Sequence, residues 1–209
     1  MEILEIAVGP LRTNCYIVVS ERKNAVVIDP GFESEKIVAK AKAAGANVEY
    51  VLLTHGHYDH ICAVEGVKKA FPGCKSAVMK EDLELCRNPE LAFPGVTGGI
   101  EPDMLLEDGD VIKVDELSFK FMLTPGHTRG SACIICGEKM FSGDTLFSRA
   151  CGRIDLYGGS AKEMRASLKK LGGLEVDYEI FPGHGVGTTL AIERYANQYL
   201  CKSMGLEVL

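Results

Sequence analysis

Three features that mark whole classes of protein are missing from this 209-residue chain. An apolar run of roughly 18 residues or more is absent, so we expect no membrane-spanning helix. A basic stripe is absent as well: 23 Lys and Arg are interleaved with 29 Asp and Glu, and the net charge is -6. This pattern argues against a nucleic-acid partner. The opening residues, MEILEIAVGPLRTN, lack the basic head and long apolar core of a signal peptide, so we expect a cytoplasmic protein.

Long Pro/Gly/Ser-rich linkers, internal repeats and low-complexity tracts are also absent. The length suits one substantial domain, and a chain of this size buries about 70% of its unfolded surface. Hydrophobic residues make up 46% of the composition, which is ordinary for a globular protein. We therefore predict a single domain over residues 1–209, and the oligomeric state stays open.

The eight cysteines are expected to be reduced, because a cytoplasmic chain of this length rarely carries disulfides. Cys133 and Cys136 form a CxxC pair, but the surrounding SACIICG is an apolar run typical of a strand. Residues three apart in a strand lie roughly 10 Å apart on opposite faces. We therefore favour core packing over a redox or zinc-binding role for this pair.

The pattern of apolar runs and turn residues alternates strands with helices. Strands are predicted over 2–8, 14–20, 25–31, 48–54, 75–80 and 178–183, and helices over 34–45, 61–71, 81–87, 160–172 and 189–204. A hairpin is predicted within 109–126 around Asp115-Glu116, and SACIICG with KMFSGD is predicted to form another strand pair. Strands followed by helices, twice over, indicate an α/β chain (α+β layered) with two packed sheets and helices outside.

The segment 88–104 is rich in Pro and Gly and is predicted to be a surface excursion. Its role is open between a substrate lid and a partner contact.

The stretch LLTHGHYDHI, residues 52–61, contains three of the five histidines of the chain. It follows a predicted strand, and extended backbone directs His55, His57 and Asp59 to the same side. His60 adds a fourth donor where the next helix begins. Imidazole and carboxylate suit zinc, iron or manganese. The preceding strand and Gly56 argue against the helical motif of zinc proteases.

The other two histidines also follow predicted strands, in TPGHTRGS (His127) and FPGHGVG (His184). Asp144, in MFSGDTLF, follows another strand, and a carboxylate can bridge two cations. Functional residues concentrate in such loops on a rigid scaffold. A serine nucleophile is not indicated, because the sequence has no GxSxG motif. The sequence therefore predicts a metal site.

Taken in order, THGHYDH, PGHTRGS, FSGDTLF and FPGHG resemble the motifs of the metallo-β-lactamase superfamily, and the resemblance extends along almost the whole chain. It implies an αββα sandwich, the metallo-β-lactamase fold, with a metal site at one edge between the sheets. It also implies two divalent metal ions, zinc or alternatively iron or manganese. The ligands that it implies are His55, His57 and His127 for the first metal, Asp59, His60 and His184 for the second, Asp144 as the bridge, and Asp29 as a carboxylate that orients a ligand.

Several branches of the superfamily fit less well. Asp144 stands where β-lactamases commonly have cysteine, His57 stands where flavodiiron proteins have glutamate, and additional nuclease or flavodoxin domains are absent. The segment TLFSRACGRIDLYGGS (145–160) is similar to a loop of single-domain proteins related to glyoxalase II. This implies hydrolysis of S-lactoylglutathione or a similar small acyl thioester by a hydroxide that Asp59 would help to orient.

The chain departs from ordinary glyoxalase II at two places. It ends soon after His184, and DHICAVEG lacks the usual Gly-Gly. Thioester hydrolysis is therefore a firmer implication than glutathione specificity. Arg153 is interpreted either as a partner for a substrate carboxylate or as one half of an ion pair with Asp155 or Asp144. Tyr157 is interpreted either as lining the mouth of the site or as surface packing.

Three alternative functions also fit the sequence. Persulfide dioxygenases resemble the chain in the histidine loop and in ACGRIDL, and this resemblance implies a single iron held by His55, His127 and Asp144. A lactonase is a weaker alternative on the same fold. The third alternative is a non-enzymatic, metal-stabilised binding protein, but structural zinc sites are usually closed by four ligands and often include cysteine.

Overall fold

The computed structural model describes residues 1–205 and contains two six-stranded sheets. The strands of the first sheet, in spatial order, are β1 (Glu2–Val8), β2 (Thr13–Val19), β3 (Asn24–Ile28), β4 (Asn47–Leu52), β5 (Lys75–Met79) and β6 (Met104–Leu106). Strands β1 to β3 pair antiparallel, whereas β3 to β6 pair parallel. The parallel half directs the ends of β3 and β4 to the same edge.

The second sheet is built from the second half of the chain. Its strands are β7 (Val111–Val114), β8 (Leu117–Leu123), β9 (Ala132–Cys136), β10 (Lys139–Gly143), β13 (Glu179–Pro182) and β14 (Thr188–Thr189), in the spatial order β14-β13-β10-β9-β8-β7. The hairpin β7–β8 turns at Asp115-Glu116 as predicted, with Asp115 at φ 51°. Strands β8, β10 and β13 run in the same direction, so their carboxyl ends also share an edge.

Two short strands and seven helices complete the described part of the chain. The strands β11 (Leu146–Phe147) and β12 (Ala150–Cys151) form a separate ribbon. The helices are α1 (Ser34–Ala43), α2 (Tyr58–Ile61), α3 (Val64–Ala70), α4 (Leu83–Arg87), α5 (Ala161–Gly172), α6 (Leu190–Ala196) and α7 (Gln198–Met204). Single 3₁₀ turns cover Lys80–Asp82 and Pro89–Leu91. None of the helices in residues 1–205 has the length and apolarity to cross a bilayer.

Three hydrophobic clusters define four layers. In β2, Tyr16 and Val18 point into the cluster between the two sheets, whereas Ile17 points into a cluster beneath α1 and α3. The third cluster lies between the second sheet and α5, and it includes Leu168 and Leu190. Helix, sheet, sheet and helix therefore stack in that order, which confirms the αββα sandwich. Alternation along each strand lets both faces of each sheet bury apolar side chains.

The CxxC pair lies in β9, and its two side chains are on opposite faces of the sheet. Cys133 belongs to the cluster beneath α5, whereas Cys136 belongs to the cluster between the sheets. Both are buried free thiols. The predicted packing role is therefore confirmed.

Three predicted elements differ from the structure. The helix predicted over 189–204 is two helices, because the Asn197 side chain accepts hydrogen bonds from the backbone N–H groups of Tyr199 and Leu200 and starts α7. The helix predicted over 61–71 is also divided, and at the break the Ala63 N–H donates to the Pro30 carbonyl at 2.9 Å. The excursion predicted over 88–104 ends at its last residue, where β6 begins.

Candidate metal centre

The predicted site residues come together at the edge where the strand ends of both sheets meet. Asp29 follows β3, and the loop with three histidines follows β4. His127, Asp144 and His184 follow β8, β10 and β13 of the other sheet. Residues more than a hundred positions apart thus converge because both sheets present carboxyl ends of parallel strands here.

The first group is His55, His57 and His127, which we call the first trio. One ring nitrogen from each lies within 4.8 Å of the others. His55 Nε2 and His57 Nδ1 are 3.1 Å apart, and the ring centroids of His57 and His127 are 4.5 Å apart. All three side chains are buried. Three converging imidazoles are a typical donor set for a divalent transition metal.

The second group is Asp59, His60 and His184, which we call the second trio and which satisfies the same distance criterion. Asp59 Oδ2 is 3.5 Å from His60 Nε2 and 3.3 Å from His184 Nε2. Asp59 and His60 are buried. The mixture of carboxylate and imidazole again suits zinc, iron or manganese.

Asp144 lies between the two trios. Its Oδ2 is 3.5 Å from His127 Nε2 in the first trio and 3.6 Å from His184 Nε2 in the second. Its Oδ1 is 3.5 Å from His60 Nε2. Gly183 makes this approach possible, since a Cβ there would lie 2.2 Å from Asp144 Oδ1. One carboxylate thus reaches both groups of donors, as a bridging ligand must.

Hydrogen bonds behind the trios fix the orientation of three imidazole rings. His127 Nδ1 donates to the Arg153 carbonyl at 2.7 Å, and His184 Nδ1 donates to the Leu11 carbonyl at 3.2 Å. His60 Nδ1 lies 2.9 Å from Asp29 Oδ2, and Asp29 is itself held by Thr54. A proton on each Nδ1 leaves the Nε2 lone pair directed at the centre.

The donors at the centre are left without partners by the protein itself. Among residues 1–205, the buried atoms that lack a hydrogen-bond partner include His60 Nε2, His127 Nε2 and Asp144 Oδ1. A buried polar atom without a partner costs roughly 1–3 kcal/mol. Coordination of divalent cations would satisfy all three atoms, so the residues present fit a metal centre.

The electrostatics of the site also favour cations. Burial and the neighbouring His127 lower the pKa of His57 to about 2, so its imidazole is neutral and able to bind a metal. Burial opposes a charge on His60, yet Asp59, Asp144 and Asp29 together raise its pKa to about 10. Three carboxylates that favour a positive charge at His60 favour a cation in the same place.

Asp82 supports the site from behind, and no pattern in the sequence indicates it. This buried carboxylate accepts hydrogen bonds from the Gly56 N–H at 2.9 Å, the Gly130 N–H at 2.7 Å and the Thr128 hydroxyl at 2.7 Å. Gly56 lies between His55 and His57, and Thr128 follows His127. Asp82 therefore ties together the two loops that form the first trio.

The trios open into a cavity of about 460 Å³. Its lining includes His57, Asp59, His127, Asp144 and His184, together with Leu11, Phe93, Phe147, Arg153 and Leu156. Phe93 comes from the excursion at 88–104, and its ring centroid lies 5.2 Å from that of His57. No local pattern around Phe93 indicates that this aromatic residue reaches the site.

The two predicted substrate contacts have different surroundings. Arg153 lines the cavity, but its guanidinium also makes two hydrogen bonds of 2.7 Å to Asp155, which is one of the ion pairs considered for it. Tyr157 lies outside the cavity lining. Its hydroxyl donates to Glu84 at 2.9 Å and its ring packs against Arg129, so the surface-packing interpretation fits its position. Leu156, its neighbour, faces the cavity instead.

An αββα sandwich with a His/Asp cluster at the shared edge of its sheets defines a class of metal-dependent hydrolases. The model of the metallo-beta-lactamase superfamily matches residues 8–184. The chain therefore belongs to the metallo-beta-lactamase superfamily.

Two hydrolases are similar to the chain over most of its length. The chain is 33% identical to the hydroxyacylglutathione hydrolase GloC of Haemophilus influenzae, over 96% of this chain and 98% of that protein. It is 30% identical to the probable polyketide biosynthesis zinc-dependent hydrolase PksB of Bacillus subtilis, over 88% of this chain and 81% of that protein.

Three crystal structures superpose closely. BLEG-1, a B3 metallo-beta-lactamase, has a TM-score of 0.88 at 30% identity, covering 95% of this chain and 99% of that one. TTHA1623, in a di-iron-bound form, has a TM-score of 0.84 at 34% identity, covering 94% and 99%. ETHE1 from Myxococcus xanthus has a TM-score of 0.80 at 25% identity, covering 98% and 85%.

Proposed function

We propose that the chain is a glyoxalase II-like thioesterase that hydrolyses S-lactoylglutathione or a similar small acyl thioester. The observation that carries the proposal is the pair of complete trios with Asp144 between them. A site for one cation would not need both trios. The similarity to GloC, named a hydroxyacylglutathione hydrolase, supports the choice of thioester.

The first trio would hold one divalent cation, the second trio would hold another, and Asp144 would contact both. When bound, such cations supply a hydroxide nucleophile at neutral pH and polarise the carbonyl under attack. Zinc is our first choice, because the name of PksB specifies zinc, and iron is the alternative, because TTHA1623 contains two irons.

The remaining residues of the site have separate roles in this proposal. Asp59, which also accepts a hydrogen bond from the Thr13 hydroxyl at 3.1 Å, would accept one from the attacking nucleophile and orient it. Leu11, Phe93 and Phe147 would exclude bulk water from the reacting carbonyl. Arg153 would exchange its exposed pairing with Asp155 for a substrate carboxylate.

Thiol release from S-lactoylglutathione tests the proposal. The protein is assayed as purified, after chelation, and after zinc, iron or manganese is added back, and bound metal is counted in each sample. We expect turnover to disappear on chelation and to return with about two metals per chain. A fully metallated protein that releases no thiol from any small acyl thioester would refute the proposal.

A mononuclear-iron persulfide dioxygenase is the second candidate, favoured by the similarity to ETHE1. It would use His55, His127 and Asp144 and would leave His184 without a ligand role. Oxygen uptake with glutathione persulfide, measured on the iron-loaded protein, separates the two candidates. Uptake together with one iron per chain would replace the thioesterase proposal.

A further inference from the structure

A second cavity lies directly behind the metal centre. It has a volume of about 390 Å³ and is formed by β12, the segment that follows it, α5 and α7. Cys151, Gly152 and Arg153 form one of its walls. The other face of this wall contacts the site, because a Cβ on Gly152 would lie 1.9 Å from the Asp144 carbonyl and 3.1 Å from His127 Nδ1. A single layer of backbone therefore separates this cavity from two predicted metal ligands.

The charged residues that line the second cavity are all cationic: Arg153, Arg165 and Lys202. The chain as a whole is acidic, with a net charge of -6, so this local excess runs against the composition. Within residues 1–205, neither Arg165 nor Lys202 takes part in an ion pair. Arg153 has an exposed pairing with Asp155, and exposed ion pairs are weak because water and salt screen them, so an incoming anion can compete for the guanidinium.

The floor of the second cavity is apolar. Met164 and Leu168, on one face of α5, are buried beneath it, and Ile154 and Tyr199 form partly exposed sides. The volume lies within the range of small-molecule sites, about 300–1,000 Å³. A cavity with an apolar floor and a cationic rim suits an organic molecule that has a neutral stem and an anionic end.

Arg153 is common to the linings of the two cavities. A thioester has two halves, and only the carbonyl must lie at the metal centre. Arg153 therefore marks the place where the thiol half would pass from the metal-site cavity into the second cavity.

We propose that the second cavity binds the thiol half of the substrate, and that this half carries carboxylate or phosphate groups. The inference rests on the proposed thioesterase function and defines the class of leaving group. Arg165 would bind the anion through its planar pair of donors, and Lys202 would act as a mobile point charge. The carboxylates of a peptide thiol and the phosphates of a nucleotide thiol share this chemistry.

Binding of non-hydrolysable thioethers tests the cavity without turnover. S-methylglutathione and S-methyl-coenzyme A are titrated calorimetrically into the metal-loaded protein, the first as the carboxylate source and the second as the phosphate source. We expect the Arg165→Gln/Lys202→Gln double variant to bind the preferred thioether about tenfold more weakly, the usual scale for lost hydrogen bonds to a charged group. The Lys162→Gln/Lys169→Gln variant also removes two positive charges, from α5 outside the cavity, and should bind like the wild type.

Equal affinity in the double variant and the wild type, or no binding of either thioether, would overturn the cavity assignment. The thioether whose affinity falls in the double variant identifies the anionic group. A fall for S-methylglutathione alone indicates carboxylates, and a fall for S-methyl-coenzyme A alone indicates phosphates.

Kinetics separate a failure of the cavity from a failure of the proposed function. The acetyl thioesters of glutathione, coenzyme A and N-acetylcysteamine share an acyl group, and the last has an uncharged thiol half. We expect the double variant to lower the preference for the anionic carrier over the neutral one about tenfold, mainly through KM. If the double variant hydrolyses the thioesters with an unchanged preference for the anionic carrier, the cavity assignment is refuted and the thioesterase function is kept. If no thioester is hydrolysed but thioether binding still depends on Arg165 and Lys202, the thioesterase function is refuted and the cavity assignment is kept.

Discussion

Asp144 reaches the first trio through His127 and the second trio through His60 and His184. We expect Asp144→Ala to lower both the metal content and the rate of thioester hydrolysis. The loss of rate should be about 100-fold or more, since even outer partners of metal ligands contribute about 10–100-fold. Metal analysis of the purified variant and steady-state kinetics measure the two effects.

Asp110→Ala is a suitable control, because it removes an exposed carboxylate from the turn before β7. Full activity in Asp144→Ala with two metals retained would contradict the bridging assignment.

Asp82 holds the loops of the first trio through three short hydrogen bonds. In Asp82→Asn the side-chain amide keeps one acceptor oxygen. Its NH₂ group replaces the other oxygen and cannot accept hydrogen bonds from the N–H and O–H groups around it. We expect the free energy of unfolding to fall by about 2–4 kcal/mol and the metal affinity to fall about tenfold. Urea unfolding and competition with a chromophoric chelator give the two quantities.

Asp103→Asn provides the comparison, since Asp103 also accepts backbone and hydroxyl hydrogen bonds, from Ser76, but lies outside the site. It should lose stability and keep its metal affinity. A similar fall in metal affinity in both variants would show that Asp82 has no specific role in the site.

The seven predicted metal ligands could be recognised from the sequence because each follows a strand, and parallel strands end at a common edge. Asp82 and Phe93 could not be recognised in this way. Each lies in or beside a single 3₁₀ turn, whose position depends on tertiary contacts rather than on a local pattern. Arg153 can pair either with Asp155 or with a substrate carboxylate. The residue type alone does not determine which of these partners it binds.

At the scale of elements, long periodic segments were predicted well and short ones were missed. The αββα layers and the β7–β8 hairpin follow from apolar alternation and turn residues. Strands β6, β11, β12 and β14 contain only two or three residues, too few to show a period of two. The division at Asn197 was missed because a capping residue within an amphipathic run leaves the apolar pattern intact.

The excursion between α4 and β6 contributes Phe93 to the metal-site cavity, which favours the substrate-lid interpretation of this segment. Along a series of acyl thioesters, each methylene that contacts Phe93 should raise kcat/KM about fourfold, given roughly 0.8 kcal/mol per buried methylene. We expect Phe93→Ala to flatten this dependence.

Leu91→Ala, in the same segment but outside the cavity lining, should keep the dependence on chain length. Rates that rise equally with acyl length in Phe93→Ala and the wild type would show that the excursion does not contact the acyl group.

At the scale of the whole molecule, the metal centre and the core are separate. The three clusters that hold the layers together are apolar and extend through both sheets. We therefore expect chelation to abolish turnover while the far-ultraviolet circular dichroism is retained. The melting temperature should fall by about 10 °C, because ligand at 1,000 times its Kd stabilises the folded state by about 4 kcal/mol.

Re-addition of zinc should restore both the melting temperature and the activity. A chain that loses its secondary structure on chelation would instead support the metal-stabilised binding protein considered from the sequence.

The convergence of both sheets on one edge has a consequence for the order of events in folding. Asp59 and His60 follow β4, whereas Asp144 and His184 follow β10 and β13, so the donor set exists only after the two sheets have docked. Interactions that form after the folding transition state slow unfolding and leave the folding rate nearly unchanged. Bound cations should therefore slow unfolding. They would lengthen the lifetime of the native chain under protease or heat without raising the rate of folding.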